Sequence, residues 1–93
     1  MALYSLVIER GGKSYGTQLI ANSASDAIKQ YFVKFYPHSG KKFFGNDAPN
    51  LMVKDILYVT PMEGLVNMWL ACAGGEGEYV SVICSRTVSR KAT

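Results

Sequence analysis

The sequence contains few residues of the kinds that build disulfide frameworks or metal sites. It has two cysteines, Cys72 and Cys84, and one histidine, His38. Two cysteines without Cys-x-x-Cys spacing do not form a disulfide framework, and one histidine makes a Cys/His zinc site a poor prospect. We therefore expect two free thiols in a reducing compartment, no bound metal and no cofactor.

Long apolar runs and a secretory leader are also missing. No apolar stretch approaches the ~18–20 residues that span a bilayer, which predicts no membrane association. The first nine residues show neither a basic start nor a small-residue cleavage site, so we expect no signal peptide. Together with the free thiols, these absences predict a cytoplasmic protein.

The chain carries only a small excess of positive charge. Ten Lys and Arg against seven Asp and Glu give a formal net charge of +3, which permits an acidic partner without requiring one. Hydrophobic residues make up 48% of the chain and charged residues 18%, a composition too apolar for a disordered protein. The length of 93 residues predicts one domain, residues 1–93, of which 89–93 form a flexible tail.

The first half of the chain predicts a hairpin followed by a helix. Strands over Leu3–Arg10 and Ser14–Ala21 flank a Gly11-Gly12 pair, which favours a two-residue turn. Ser23 is a suitable N-cap, and Asp26 favours the positive end of the helix that follows. One apolar face then recurs at steps of three and four residues: Ala24, Ala27, Ile28, Tyr31, Phe32 and Phe35. We expect Pro37 to end this helix.

The second half predicts mainly strands. Residues 37–50 are expected to form a long irregular connection, followed by a strand over Met52–Thr60, for which a short helix over 51–58 is the alternative. Further strands are expected over Leu65–Ala73 and Glu78–Val88. The fold class is thus α+β in the order β-β-α-β-β-β. An antiparallel five-stranded sheet, either open or curled toward a barrel, packs on one amphipathic helix.

The predicted last hairpin places the cysteines apart. With a turn at Gly75-Glu76, Cys72 lies opposite Tyr79 and Cys84 lies opposite Asn67. That register separates the two thiols by ~16 Å along the strands. A disulfide requires Cα atoms within about 7 Å, so the thiols cannot bond to each other.

Both faces of the predicted sheet carry apolar residues, whereas the chain offers one helix to cover them. A sheet with one wet face is expected to alternate apolar and polar residues. This excess of apolar residues over what one helix can cover has three possible solutions. The sheet curls, Phe43 and Phe44 of the long connection fold over its second face, or that face packs against a second copy of the chain. We favour a homodimer whose interface draws on Val66, Met68, Trp69, Leu70, Tyr79 and Ile83.

Basic and aromatic side chains alternate between residues 34 and 44, a pattern typical of surfaces that bind single-stranded nucleic acid. Lysines neutralise phosphates and aromatic rings stack on unpaired bases. The candidate contacts are Lys34, Tyr36, His38, Lys41, Lys42, Phe43 and Phe44. In the competing interpretation, the rings fill the core and the lysines only solvate the segment.

No pair of carboxylates or nucleophile-base arrangement is recognisable in the sequence. We therefore expect no enzymatic activity and interpret the chain as a non-enzymatic interaction module, a homodimer in the cytoplasm. Nucleic-acid binding through residues 34–44 is the first alternative, and a small enzyme with an unrecognised site is the second.

Overall fold

A computed structural model of the chain describes residues 1–75 and 78–87. Five strands are described: β1 (Ala2–Arg10), β2 (Lys13–Ala21), β3 (Ile56–Pro61), β4 (Met68–Gly75) and β5 (Glu78–Thr87). They form one sheet in the order β2-β1-β5-β4-β3, and all neighbouring strands are antiparallel. The predicted α+β fold is confirmed. The predicted tail, 89–93, and the expected last strand residue, Val88, lie outside the described residues.

The first hairpin turns where the glycine pair predicts. Gly11 and Gly12 have φ angles of 55° and 83°, and Arg10 pairs with Lys13 across them. Positive φ at both central positions is the geometry that matches the twist of the flanking strands, and glycine adopts it without steric cost.

The helix layer consists of three consecutive helical segments. They are α1 (Ala24–Gln30), a π-helical turn (Tyr31–Phe35) and α2 (Tyr36–Phe44), which together we call the long helix, residues 24–44. Ser23 caps its start, because the Ser23 hydroxyl accepts a hydrogen bond of 3.0 Å from the backbone N–H of Asp26. The Asp26 carboxylate in turn accepts a bond of 3.2 Å from the backbone N–H of Asn22.

The prediction that Pro37 ends the helix is wrong. A proline inside an α-helix lacks the N–H for the ladder and clashes with the carbonyl four residues earlier, at a cost of ~3 kcal/mol. Here the π turn immediately precedes Pro37, and the N–H of Tyr36 bonds to the carbonyl of Tyr31, five residues earlier. The helix widens at the proline and continues. Burial of Phe44 beyond it, at about 1.5–3 kcal/mol for a large side chain, offsets the cost.

Three other boundaries also differ from expectation. The segment 37–50 is not a long loop, because α2 occupies it as far as Phe44. Gly45, with φ of 97°, ends the helix. The strand predicted from Met52 begins at Ile56, after a 3₁₀ turn over Val53–Asp55. The strand predicted from Leu65 begins at Met68, after Asn67 adopts a positive φ of 58°.

The register of the last hairpin is shifted by two residues from the prediction. Cys72 pairs with Ser81 rather than Tyr79, and Cys84 pairs with Trp69 rather than Asn67. Gly75 pairs with Glu78, so the connection is residues 76 and 77, which lie outside the described part of the chain. A shift of two preserves which face each side chain occupies. Cys72 and Cys84 lie on opposite faces of the sheet, and both thiols are free, as predicted.

The core lies between the long helix and one face of the sheet. The sheet contributes Tyr4, Leu6, Ile8, Leu19, Ala21, Ala71, Ala73, Val80, Val82 and Cys84. The helix side contributes Ala24, Ala27, Ile28, Tyr31, Phe32, Tyr36, Phe44 and Leu51. Alanines on β4 and α1 allow the two layers to approach closely where the aromatic rings do not intervene.

Replacement of Gly40 by alanine tests the packing of α2 on this core. Alanine usually stabilises a helix interior by about 1 kcal/mol relative to glycine. At Gly40 an added Cβ would lie 2.8 Å from the ring of Tyr36. That ring is buried and its hydroxyl is hydrogen-bonded, so it cannot move aside cheaply. We expect Gly40→Ala to lower the free energy of unfolding by about 1–3 kcal/mol in urea titration.

Ser39→Ala is the matched control, because Ser39 is only half-buried and the change raises helix propensity without a clash. A Gly40→Ala protein as stable as the Ser39→Ala protein would show that Tyr36 does not occupy the space over Gly40.

Candidate functional site

The sheet face opposite the long helix is uncovered, and we call it the open face. It carries Leu3, Ser5, Val7 and Glu9 of β1, with Ser14, Gln18 and Ile20 of β2 beside them. β5 adds Tyr79, Ser81, Ile83, Ser85 and Thr87, β4 adds Met68, Leu70 and Cys72, and β3 adds Tyr58 and Thr60. Among the outward-facing side chains of the described strands, Glu9 is the only charged one.

An apolar stripe crosses the middle of the open face. Val7 lies opposite Ile83, and Ile83 lies opposite Leu70, so the three side chains form one row across β1, β5 and β4. Val7 is 45% exposed and Ile83 is 38% exposed. We call this row the central stripe. On one side of it Ser5 and Ser85 are paired, and Ser5 accepts a hydrogen bond of 2.8 Å from Gln18.

The predicted interface residues do not all lie on one surface. Met68, Leu70, Tyr79 and Ile83 share the open face, and Val66 is exposed in the turn before β4. Trp69 points to the helix side, where it meets Tyr4 edge-on with ring centroids 6.0 Å apart. Strand alternation puts Trp69 opposite in direction to its neighbours Met68 and Leu70, so it belongs to the core margin.

The predicted nucleic-acid residues are likewise divided, because the segment is helical. Tyr36 and Phe44 are buried in the core, as the competing interpretation expected. The others are exposed on α2 and the turn before it, where Lys34, His38, Lys41 and Lys42 follow at intervals of four, three and one residues. Helical spacing places these four side chains along one solvent-facing strip, which we call the lysine strip.

Two phenylalanine rings border the lysine strip. Phe43 stacks on Tyr15 with ring centroids 4.5 Å apart and remains 47% exposed. The Nζ of Lys42 lies 5.3 Å from the centre of the Phe43 ring. Phe35 is 39% exposed, although its periodicity assigned it to the buried face, because the π turn rotates it toward solvent. We call Lys34, His38, Lys41 and Lys42 with these two rings the basic helix surface.

Tyrosine hydroxyls form the polar contacts inside the core. The hydroxyls of Tyr15 and Tyr31 share a hydrogen bond, and the Tyr36 hydroxyl donates to the carbonyl of Pro49 over 2.7 Å. Burial raises the pKa of Tyr31 above its ordinary value and raises the pKa of Tyr36 to about 12. Both phenols therefore stay protonated at neutral pH, and they serve as structural hydrogen-bonding groups.

Other features required for particular chemistries are not found in the described part of the chain. Residues 1–75 and 78–87 contain no group of three or more His, Cys, Asp or Glu that could hold a metal ion. Over the same residues, no helix is both long and apolar enough to cross a membrane.

Alkaline pH is expected to destabilise the protein through its buried thiol. Cys84 is fully buried, and burial raises the pKa of its thiol from 9.0 to about 11. A pKa that is higher in the folded state contributes stability below the unfolded value and loses it as pH rises toward the folded value. We therefore expect the free energy of unfolding to fall between pH 9.0 and about 11 in denaturant titrations at successive pH values.

Cys84→Ala is the control, because it removes this titration and leaves that of the tyrosines, whose ordinary pKa of 10.0 places their contribution at higher pH. A Cys84→Ala protein with an unchanged slope between pH 9.0 and 10.0 would contradict the assignment to the thiol.

No family model, curated protein or solved structure significantly matches the chain. The role of the protein is therefore inferred from its own residues and their arrangement.

Proposed function

We propose that the protein is a non-enzymatic interaction module that forms a symmetric homodimer through its open face. The observation that carries the proposal is the charge pattern of that face, on which Glu9 is the one charged side chain among the described strand positions. Strands of a sheet with one face in water usually alternate apolar and polar residues, so that the polar ones face the water. Depletion of charge is the compositional mark of the buried centre of an interface.

The energetic argument concerns the apolar side chains left in water. Val7, Ile83, Tyr79 and Ile20 are all more than one-third exposed. Burial of such a side chain is worth up to ~1.5–3 kcal/mol. Small domains have a total stability of about 5–15 kcal/mol, so covering the open face is a large gain on that scale.

The dimensions of the open face match those of a dimer interface. Five strands ~4.8 Å apart and about nine residues long span roughly 24 Å by 30 Å. That is about 700 Å² for each copy, close to the ~800 Å² per partner of a standard protein interface. A second copy presents the same area and the same chemistry, which a two-fold axis through the central stripe would bring together.

The side chains flanking the central stripe favour sheet-on-sheet packing. Stacked sheets lie ~10 Å apart with interdigitating side chains. Serines at positions 5, 81 and 85 are short, so the larger Val7, Ile83 and Leu70 of one copy can enter the space above them on the other. Neutral hydroxyls at these positions also lose less hydration free energy on burial than charged groups would.

A cytoplasmic location is part of the same proposal. Cys72 lies half-buried on the open face and Cys84 in the core, and neither is in a disulfide. Two unpaired thiols are typical of proteins in a reducing compartment.

Substitution of Ile83 by lysine tests the dimer. In a two-fold interface each copy loses a buried apolar group, at about 1.5 kcal/mol or more per copy. We therefore expect Ile83→Lys to raise the dimer dissociation constant at least ~100-fold. The measurement is light scattering after size-exclusion chromatography, over a range of protein concentrations.

Val33→Lys is the matched control, because it also places a lysine at an exposed β-branched position but on the helix side. A monomer at all concentrations would overturn the proposal. So would a dimer that Ile83→Lys leaves intact, because pairing along the free edge of β2 would leave the central stripe in water.

Alkylation of Cys72 provides a second readout of the same dimer. Cys72 faces the open side next to Ser81 and Tyr58, whereas Cys84 is inaccessible in the folded chain. Dimerisation should therefore slow modification of Cys72 as protein concentration rises. The Ile83→Lys protein should be modified at one rate at all concentrations.

A further inference from the structure

We propose that the basic helix surface binds single-stranded nucleic acid without sequence preference. This surface lies on the helix side of the molecule, opposite the open face, so the proposal is independent of dimerisation. If the dimer forms as proposed, each dimer carries two such surfaces, one on either outer side.

Positive charge is concentrated on this side of the protein. No aspartate or glutamate occurs between residues 27 and 46, whereas this stretch contains the three lysines of the basic helix surface, with Lys29 outside that surface. The open face, in contrast, carries a single carboxylate among its described strand positions. A polyanion is therefore attracted to one side of the molecule in preference to the other.

The geometry of the lysine strip fits a phosphate backbone. Lys34 and Lys42 are eight residues apart, or ~12 Å along a helix axis. Stacked nucleotides rise by about 3.4 Å each along one strand, so the strip spans three to four phosphates. The lysine side chains are exposed and flexible, which suits contacts to phosphates that carry no sequence information.

The half-exposed rings favour unpaired bases over a duplex. Phe43 is supported on one side by Tyr15, stacked at 4.5 Å with an angle of 21° between the rings, and about half of its surface remains exposed. Phe35 offers a second ring near Lys34 in sequence. Base stacking on aromatic rings is sequence-tolerant and requires bases that are not buried in a double helix.

The lysines also have a structural role from which binding must be distinguished. Lys41 and Lys42 lie in the last turn of α2, where positive charge interacts favourably with the helix dipole. Their substitution could therefore lower stability slightly, so each variant is first compared with the native chain by thermal unfolding. A role limited to the helix dipole would leave affinity for an oligonucleotide unchanged.

The experiment measures fluorescence anisotropy of labelled 12-nucleotide single strands, both DNA and RNA, against a duplex of the same length, at several salt concentrations. With about three phosphates neutralised, log K should fall with log salt at a slope of about −2. Lys41→Ala with Lys42→Ala should weaken binding at least tenfold and make the slope shallower by about 1.4. A preference for RNA or DNA would identify the natural strand.

Lys29→Ala with Lys54→Ala is the matched control, because it lowers the formal net charge from +3 to the same +1 at exposed positions outside the basic helix surface. This control should leave affinity within about twofold at moderate salt, when screening confines each charge to its own neighbourhood. Phe43→Leu keeps an apolar side chain over Tyr15 but removes the ring, and should weaken single-strand binding about tenfold.

Three results would overturn the proposal. The first is no salt-dependent binding of either single strand. The second is binding that the Lys41/Lys42 double variant and its control reduce equally, because net charge alone would then explain it. The third is equally tight association with vesicles of anionic lipid, which would assign the surface to a membrane.

Discussion

The architecture depends on the packing of one long helix against one face of a five-stranded sheet. Aromatic residues of the helix and aliphatic residues of the four strands β2, β1, β5 and β4 form a single cluster of buried side chains. A layer of one helix can cover one sheet face, and the chain supplies no second layer among its described residues. The open face is therefore left without a covering layer, and its side chains must be stable in water or be covered by another molecule.

Tyr36 connects the helix layer to the second half of the chain. Its ring packs against Phe32, with centroids 5.3 Å apart, and fills the space that Gly40 leaves open. Its hydroxyl donates to the carbonyl of Pro49, which leads the chain to the buried Leu51 and on to β3. Gly40 lies beyond Pro37, so the helix has to continue past the proline for the Tyr36 ring to pack over it, and the π turn is the local change that permits it.

The two exposed surfaces differ in chemistry because they lie on opposite layers. The open face combines an apolar stripe with serines and a single carboxylate, a pattern suited to a second protein surface. The basic helix surface combines lysines with half-exposed rings, a pattern suited to an anionic, stackable ligand. Because the sheet separates them, one surface can be occupied without blocking the other.

Local patterns in the sequence determined much of this fold. Gly11-Gly12 specified the first turn and Ser23 specified the helix start, and strand alternation grouped the side chains of β1 and β5 by face without showing which face is buried. Each depends on neighbours a few residues away, which the sequence displays directly. The exposed Lys34, His38, Lys41 and Lys42 were also identified from local pattern, although His38, Lys41 and Lys42 were expected in a loop rather than in the helix that holds Lys34. Gly45, and the apolar Phe44 just before it, were available indications that the helix continues past Pro37.

Tertiary structure alone decided the features that depend on distant packing. Pro37 stays within the helix because burial of Phe44 further along outweighs its local cost, and that burial depends on core residues that are distant in the sequence. The same holds for the register of β4 on β5 and for the direction of Phe35. A two-residue slip changes no side chain's face, so only the fit of the whole sheet selects it.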